Sequence, residues 1–377
     1  MTANELLTKI QLFGEKVHSN NEYLKKIENE HFNFNKQKLV DHIKASNNRM
    51  PTDYQNSHFY DIIENSFSVL KETIDSTEIK FCNRIIQPKP VPLFGTANFN
   101  EFNAFVETTD NVSVIVFNEG LLKFMERLKE IYIKEHWLIA HKEITPHLRK
   151  VFTKNFVDII LSFCLFSDAY YAIPLEWCDI TNLNDLDCPD KIYEFSSPFE
   201  NYFWDDEYLQ CEYEMTTSIY LWIAAHEYAH VVLGHLEDSH STSKLHLNGI
   251  EIDKIDLNQQ QELDADLLGA IITMESKSSF FCTYGIYFAL ICLLLSQIDK
   301  KSPCEHDYPL VRVRMKNIFD NLNLNKDYLI GNYHNIDKIF APKYEMLRKI
   351  LCKIDSDNIS FSSVDEMQEY VYKIYSF

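Results

Sequence analysis

The chain has 377 residues, 46% of them hydrophobic and 24% charged, with only 8 glycines and 11 prolines. So few turn formers exclude an all-β fold and point to an ordered, mostly helical globule of one large or two modest domains. The formal net charge of −20 argues against nucleic acid and anionic membrane surfaces as partners.

Residues 1–80 carry helical stripes. Leu6, Leu7, Ile10 and Phe13 share one face, and Phe59, Ile62, Ile63, Phe67 and Leu70 share another. "IIQPKPVPLFGT" follows, and its prolines predict an extended connector. Next, "FNAFVETTDNVSVIVFNEG" alternates around a turn and predicts a β-hairpin over 102–108 and 112–118. A helix is expected over 119–134 and another over 150–172. The stretch 173–212 is irregular, rich in acids and aromatics.

From Met215 a helix is expected to run to Gly234, a residue suited to a left-handed cap. Further helices are expected over 259–275 and 281–297. The second holds the most apolar run, "GIYFALICLLLS", too short for a bilayer span of about 20 residues and so read as a buried core helix. The tail from 308 to 377 reads as helical, interrupted near "GNYHNID". Nine scattered cysteines without a C-x-x-C pair suit a reducing compartment, and the N-terminus lacks a signal core, so a cytoplasmic location is expected.

The chemistry concentrates in "AAHEYAHVVLGH". Helical residues four apart share a face, so His226 and His230 can aim two ring nitrogens at one cation, with the Glu227 carboxylate beside it as a base. A catalytic zinc site needs a third ligand and an open fourth position. "QQELDADLLGA" on the next helix offers Glu262 as that ligand. Asp266, one turn on, can hydrogen-bond a ligand histidine's second nitrogen. His235, just after Gly234, is expected to be structural. His136, His141 and His147 lack regular ligand spacing.

H-E-x-x-H followed by E-x-x-A-D on a second helix resembles the gluzincin zinc metallopeptidases, most closely the HtpX-type and CaaX-prenyl-protease group. "NAFV", "VIVFNEGLL" and the downstream "HDYPLVRVR" are similar to that group's further elements. The soluble ImmA-type and Lit-type phage-exclusion peptidases are close competitors. The resemblance implies an α+β, mainly helical fold with a zincin-like active-site helix pair and a small antiparallel β-sheet. The expected domains are 1–95, an N-terminal helical region with the Pro-rich connector; 96–320, the peptidase domain with an insertion at about 135–212; and 321–377, a C-terminal helical region.

The resemblance also implies one zinc ion bound by His226, His230 and Glu262, and a zinc-bound water activated by Glu227. Asp266 would stand behind the ligands. His306 or Arg314 would steady the oxyanion or the active-site helices. Asn103, Ala104, Phe105 and Val106 would form an edge strand that pairs with a protein or peptide substrate. Two other readings share these residues: an inactive zincin-fold binding or sensor protein, and the same chemistry used by a phage-defence or toxin effector.

Overall fold

The computed structural model describes residues 2–19, 57–99, 102–109, 112–142, 144–166, 206–235, 245–247, 250–252, 257–276, 280–296, 311–322 and 326–375. In chain order these form α1 (Ala3–Ser19), α2 (Ser57–Ser76), β1 (Lys80–Phe81), β2 (Arg84–Ile85), β3 (Leu93–Ala97), β4 (Ala104–Thr109) and β5 (Val112–Asn118). Then come α3 (Glu119–Ala140), α4 (Pro146–Phe166), α5 (Asp206–Leu233), β6 (Leu245–Leu247), β7 (Ile250–Ile252) and α6 (Leu257–Ser276). The chain continues through α7 (Phe280–Ser296), α8 (Val311–Asn321), α9 (Lys326–Ser356) and α10 (Val364–Tyr375). The fold is α+β and mainly helical, as expected.

The described chain divides into two compact units. One comprises 1–122 with 215–333, the other 123–214 with 334–377. Each unit is made of two separate stretches of the chain, so the units do not follow sequence order.

The first unit is built on a three-stranded sheet of order β3-β5-β4. The hairpin β4–β5 is antiparallel, with Val106 opposite Ile115. β3 lies parallel to β5, with Leu93 opposite Val114, so the sheet is mixed rather than purely antiparallel. The alternation of β5 sends Val114 and Val116 to one face, where Leu6 and Leu7 of α1 cover them. Phe117 meets the other face, edge-on to Phe67 of α2 and Tyr220 of α5. A central strand covered on both faces explains why Val114 to Asn118 are all buried. At the start of α1 a capping box closes the first turn: Glu5 N donates to Thr2 Oγ1 and Thr2 N donates to the Glu5 carboxylate.

α5 is the spine of this unit. Ile219, Tyr220, Leu221, Trp222, Ala224, Ala225, Tyr228 and Ala229 are all buried, so the helix is enclosed rather than amphipathic. It begins at Asp206, earlier than the irregular stretch 173–212 allowed, because Tyr208, Cys211 and Met215 recur at helical spacing, with Tyr208 and Met215 buried. Two glycines let neighbouring helices reach its backbone. A Cβ on Gly285 of α7 would stand 2.7 Å from the Ser218 carbonyl carbon. One on Gly269 of α6 would stand 2.9 Å from His226 N and 3.0 Å from His226 Cα.

The Gly269 contact sets the spacing of the two helices that carry the acidic and histidine motifs. Gly269→Ala is expected to cost about 1–3 kcal/mol through overpacking, outweighing the roughly 1 kcal/mol that Ala gains in helix propensity. Urea unfolding measures this. A more stable variant would show that the helices do not meet so closely.

α7, the apolar run, is a buried core helix. Among the described residues no helix is long and apolar enough to cross a membrane.

The second unit is helical. Its core includes Leu128, Tyr132, Phe152, Phe156 and Leu347, with a buried Lys343–Glu135 ion pair. Thr145 caps α4, accepting from Leu148 N at 3.1 Å, with Pro146 at the first helical position. The expected interruption at "GNYHNID" is absent: α9 runs unbroken through it. One glycine and two asparagines lower helix propensity by about 1 kcal/mol or less each, too little to break a helix of 31 residues.

Candidate metal centre

Three elements of the first unit converge on one point: the C-terminal half of α5, the N-terminal half of α6 and α8. His226 and His230 lie one turn apart on α5, their Nε2 atoms 3.3 Å from each other. Glu262 of α6 faces both. Its Oε2 is 3.5 Å from His226 Nε2 and its Oε1 is 3.5 Å from His230 Nε2. These residues form the one His/Cys/Asp/Glu group among the described residues able to hold a metal ion.

The spacing suits zinc. With bonds of about 2.0–2.2 Å, tetrahedral corners stand about 3.3–3.5 Å apart. Two imidazoles and a carboxylate are also an established catalytic zinc donor set, with a corner left for water.

The charges point the same way. Glu262 and Asp266 bring two carboxylates to the site, with the Glu227 carboxyl beside them, against the single guanidinium of Arg314. Burial opposes charge on His226, but Asp266 and Glu262 overcome it and hold the imidazole up at about 10. Burial, reinforced by the neighbouring His226 charge, presses His230 down to about 3. Burial also resists ionisation of Glu262, yet His226, Arg314 and His230 bring it down to about 2. A proton on His226 thus supplies part of the positive charge that the carboxylates call for.

Behind the donors stands a buried pair. Asp266 is fully enclosed and sits one turn beyond Glu262. Arg314 grips it bidentately, Nε to Oδ2 and Nη2 to Oδ1, both at 2.6 Å. Asp266 Oδ1 is 3.0 Å from His226 Nδ1, a close but angled contact. This places the ring's other nitrogen, Nε2, toward the donors. Arg314 Nη2 also lies 3.5 Å from Glu262 Oε2. Asn317 Nδ2 donates to Leu263 O at 2.9 Å and fastens α8 to α6.

Glu227 is buried beside this group, its Oε1 4.0 Å from His226 Nε2. Burial raises its carboxyl to about 8, opposed by His226 and by the backbone amide of Val106. That amide belongs to β4. Asn118 N donates to Asn103 O at 3.2 Å. Residues in step with Asn103 therefore bond to β5, and Ala104, Val106 and Thr108 turn their N–H and C=O groups to the open edge. Among the described residues β4 pairs only with β5.

The structure thus brings together His226, Glu227, His230, Glu262, Asp266 and Arg314, with Val106 on Glu227 and Ala104 and Phe105 in the same edge strand. Asn103 ends in a bond to β5. His306 lies outside the described residues. Sequence reading passed over Gly269, whose clue was a glycine one helical period beyond Asp266. His235, expected to be structural, lies against His230, and its only signal in the sequence was its place after the capping glycine.

Residues 195–334 match the model of a protein family described as Peptidase U49. The matched segment contains the histidines, Glu227, Glu262, Asp266 and Arg314, so a peptidase family is indicated for the part of the chain that builds the site. No curated protein and no solved structure matches the chain.

Proposed function

We propose that this chain is a zinc-dependent metallopeptidase of gluzincin type that hydrolyses peptide bonds in a protein or peptide substrate. The observation that carries the reading is the mutual 3.3–3.5 Å spacing of two imidazole nitrogens and a carboxylate, with a buried glutamate beside them. His226, His230 and Glu262 would hold the ion. A bound zinc would acidify a water to a pKa of about 7 and polarise the scissile carbonyl.

The protein's own groups do the rest. Glu227 in its ionised form accepts a proton from the attacking water and delivers it to the departing amine; burial gives that form a higher proton affinity than a solvated carboxylate has. The open edge of β4 takes an extended segment by β-augmentation, through the outward groups of Ala104 and the carbonyl of Val106. Val106 binds Glu227 on the same edge, so a paired substrate backbone is laid next to the base. Arg314, whose guanidinium is committed to Asp266, serves by holding Asp266 and Glu262 in place.

Zinc titration of the metal-free protein tests this reading. One equivalent is expected to bind, and Glu262→Ala is expected to lose that binding. His226, held at about 10, is protonated at neutral pH, and ligation through Nε2 must expel that proton. Zinc uptake at pH 7 is therefore expected to release at least one proton. The apparent affinity should rise about tenfold per pH unit from pH 6 to 8, because falling proton concentration removes the competitor. Calorimetry in buffers of different ionisation enthalpy counts the protons. Uptake without proton release would overturn the protonated state of His226 in the metal-free protein, and zinc binding by Glu262→Ala as tight as wild type would overturn the ligand set.

A further inference from the structure

Residue His235 lies outside the H-E-x-x-H motif and one residue past the cap of α5. Gly234 adopts a left-handed φ of 74° with nothing within 4 Å of where a Cβ would stand. His235 N then donates to His230 O at 3.1 Å. This is the six-to-one bond of a Schellman turn, which folds the chain back over the last turn of the helix. The next carbonyl, Val231 O, accepts from Lys89 Nζ at 2.7 Å. The end of the helix is therefore fastened from two sides.

The turn delivers the His235 ring onto His230. The two Nδ1 atoms are 3.1 Å apart and the rings meet edge to face at 72°. Both nitrogens can form this contact only if one carries a hydrogen and the other a lone pair. On His230 the opposite ring nitrogen, Nε2, faces His226 and Glu262. To offer a lone pair there as a neutral ring, His230 must bear its hydrogen on Nδ1. His235 Nδ1 is then the acceptor, and His235 carries its own hydrogen on Nε2.

We propose that His235 is the positioning residue for His230: it accepts the Nδ1 hydrogen, selects the tautomer with a free Nε2 and fixes the ring's angle for metal binding. The two ligand histidines are thus backed differently. His226 leans on a carboxylate, Asp266, and His230 on a neutral imidazole. His235 is not itself a ligand, because its Nδ1 is spent on the side of His230 turned away from Glu262.

The inference rests on the reading of His226, His230 and Glu262 as zinc ligands, and the experiment separates the two. Full-length wild type, His235→Leu, His235→Asn and Glu262→Ala are titrated with zinc against a chromophoric chelator. Folding is checked by thermal melts of the metal-free proteins. His235→Leu is expected to weaken zinc binding about 10–100-fold. His235→Asn attaches an amide oxygen to Cγ, where Nδ1 was, and is expected to recover most of that loss. Cobalt-substituted wild type and His235→Asn should share one visible spectrum, with His235→Leu shifted. A folded His235→Leu that binds zinc as tightly as wild type overturns the proposal for His235. So does a folded His235→Asn as weak as the leucine variant. If wild type itself binds zinc no better than Glu262→Ala, the metal reading fails instead, and His235 falls with it.

Discussion

Glu227→Gln is expected to retain zinc and to lose peptide-bond hydrolysis by about 10²–10⁴-fold. Glutamine has nearly the same shape and can keep one acceptor for the Val106 amide, so the fold and the three donors are left as they are. What it cannot do is take a proton. The wild-type carboxylate is buried, raised to about 8 and 4.0 Å from His226 Nε2, close enough to serve a water shared with the donors. Because the substrate is defined only by class, the assay compares protein cleavage across a whole proteome exposed to each form. Metal analysis of the same preparations runs alongside. Cleavage products common to both forms, at similar rates and with zinc present, would remove Glu227 from the mechanism. The absence of products from wild type loaded with zinc would favour a binding role for this fold.

The second large effect concerns Asp266→Ala. This substitution leaves the Arg314 guanidinium, 4% exposed, with its bidentate partner gone. Breaking a buried pair from one side costs about 3–5 kcal/mol, because the surviving charge is uncompensated. The same change strips His226 of the carboxylate 3.0 Å from its Nδ1, so zinc affinity is expected to fall as well, by about 10–100-fold. Urea unfolding in the presence of chelator isolates the stability term from any contribution of bound metal. Replacing Arg314 by Met in the Asp266→Ala background should restore part of the stability and none of the affinity. Equal stability of wild type and Asp266→Ala would mean that the pair is solvated and does not anchor α8 to α6.

Local patterns were readable where a residue's role depends on its near neighbours. Met215 to Gly234 was legible as a helix with a left-handed stop because the cap residue and the apolar run are adjacent. The β4–β5 hairpin followed from the alternation of Val112, Val114 and Val116 after a turn. β3 escaped notice: "LFGTA" is short, follows three prolines and contains a glycine, and its partner β5 lies beyond the intervening β4. The same limit hid the start of α5, whose first turns sit in a stretch of acids and aromatics. In α9, a helix of 31 residues, the weak local preference of "GNYHNID" to break was too small to interrupt it.

The amino-acid order alone determined that His226 and His230 share a helical face with Glu227 beside them, and that Glu262 and Asp266 share another. A period of 3.6 residues is a local property and needs no knowledge of the rest of the chain. Only the tertiary structure decided that these two faces meet, through the close approach at Gly269. Tertiary packing alone also turned Arg314 onto Asp266 and brought the Val106 amide to Glu227, whereas His235 reaches His230 through the local turn at Gly234. The contacts of Arg314 and Val106 join groups by shape and charge across space, and no spacing along the chain encodes them.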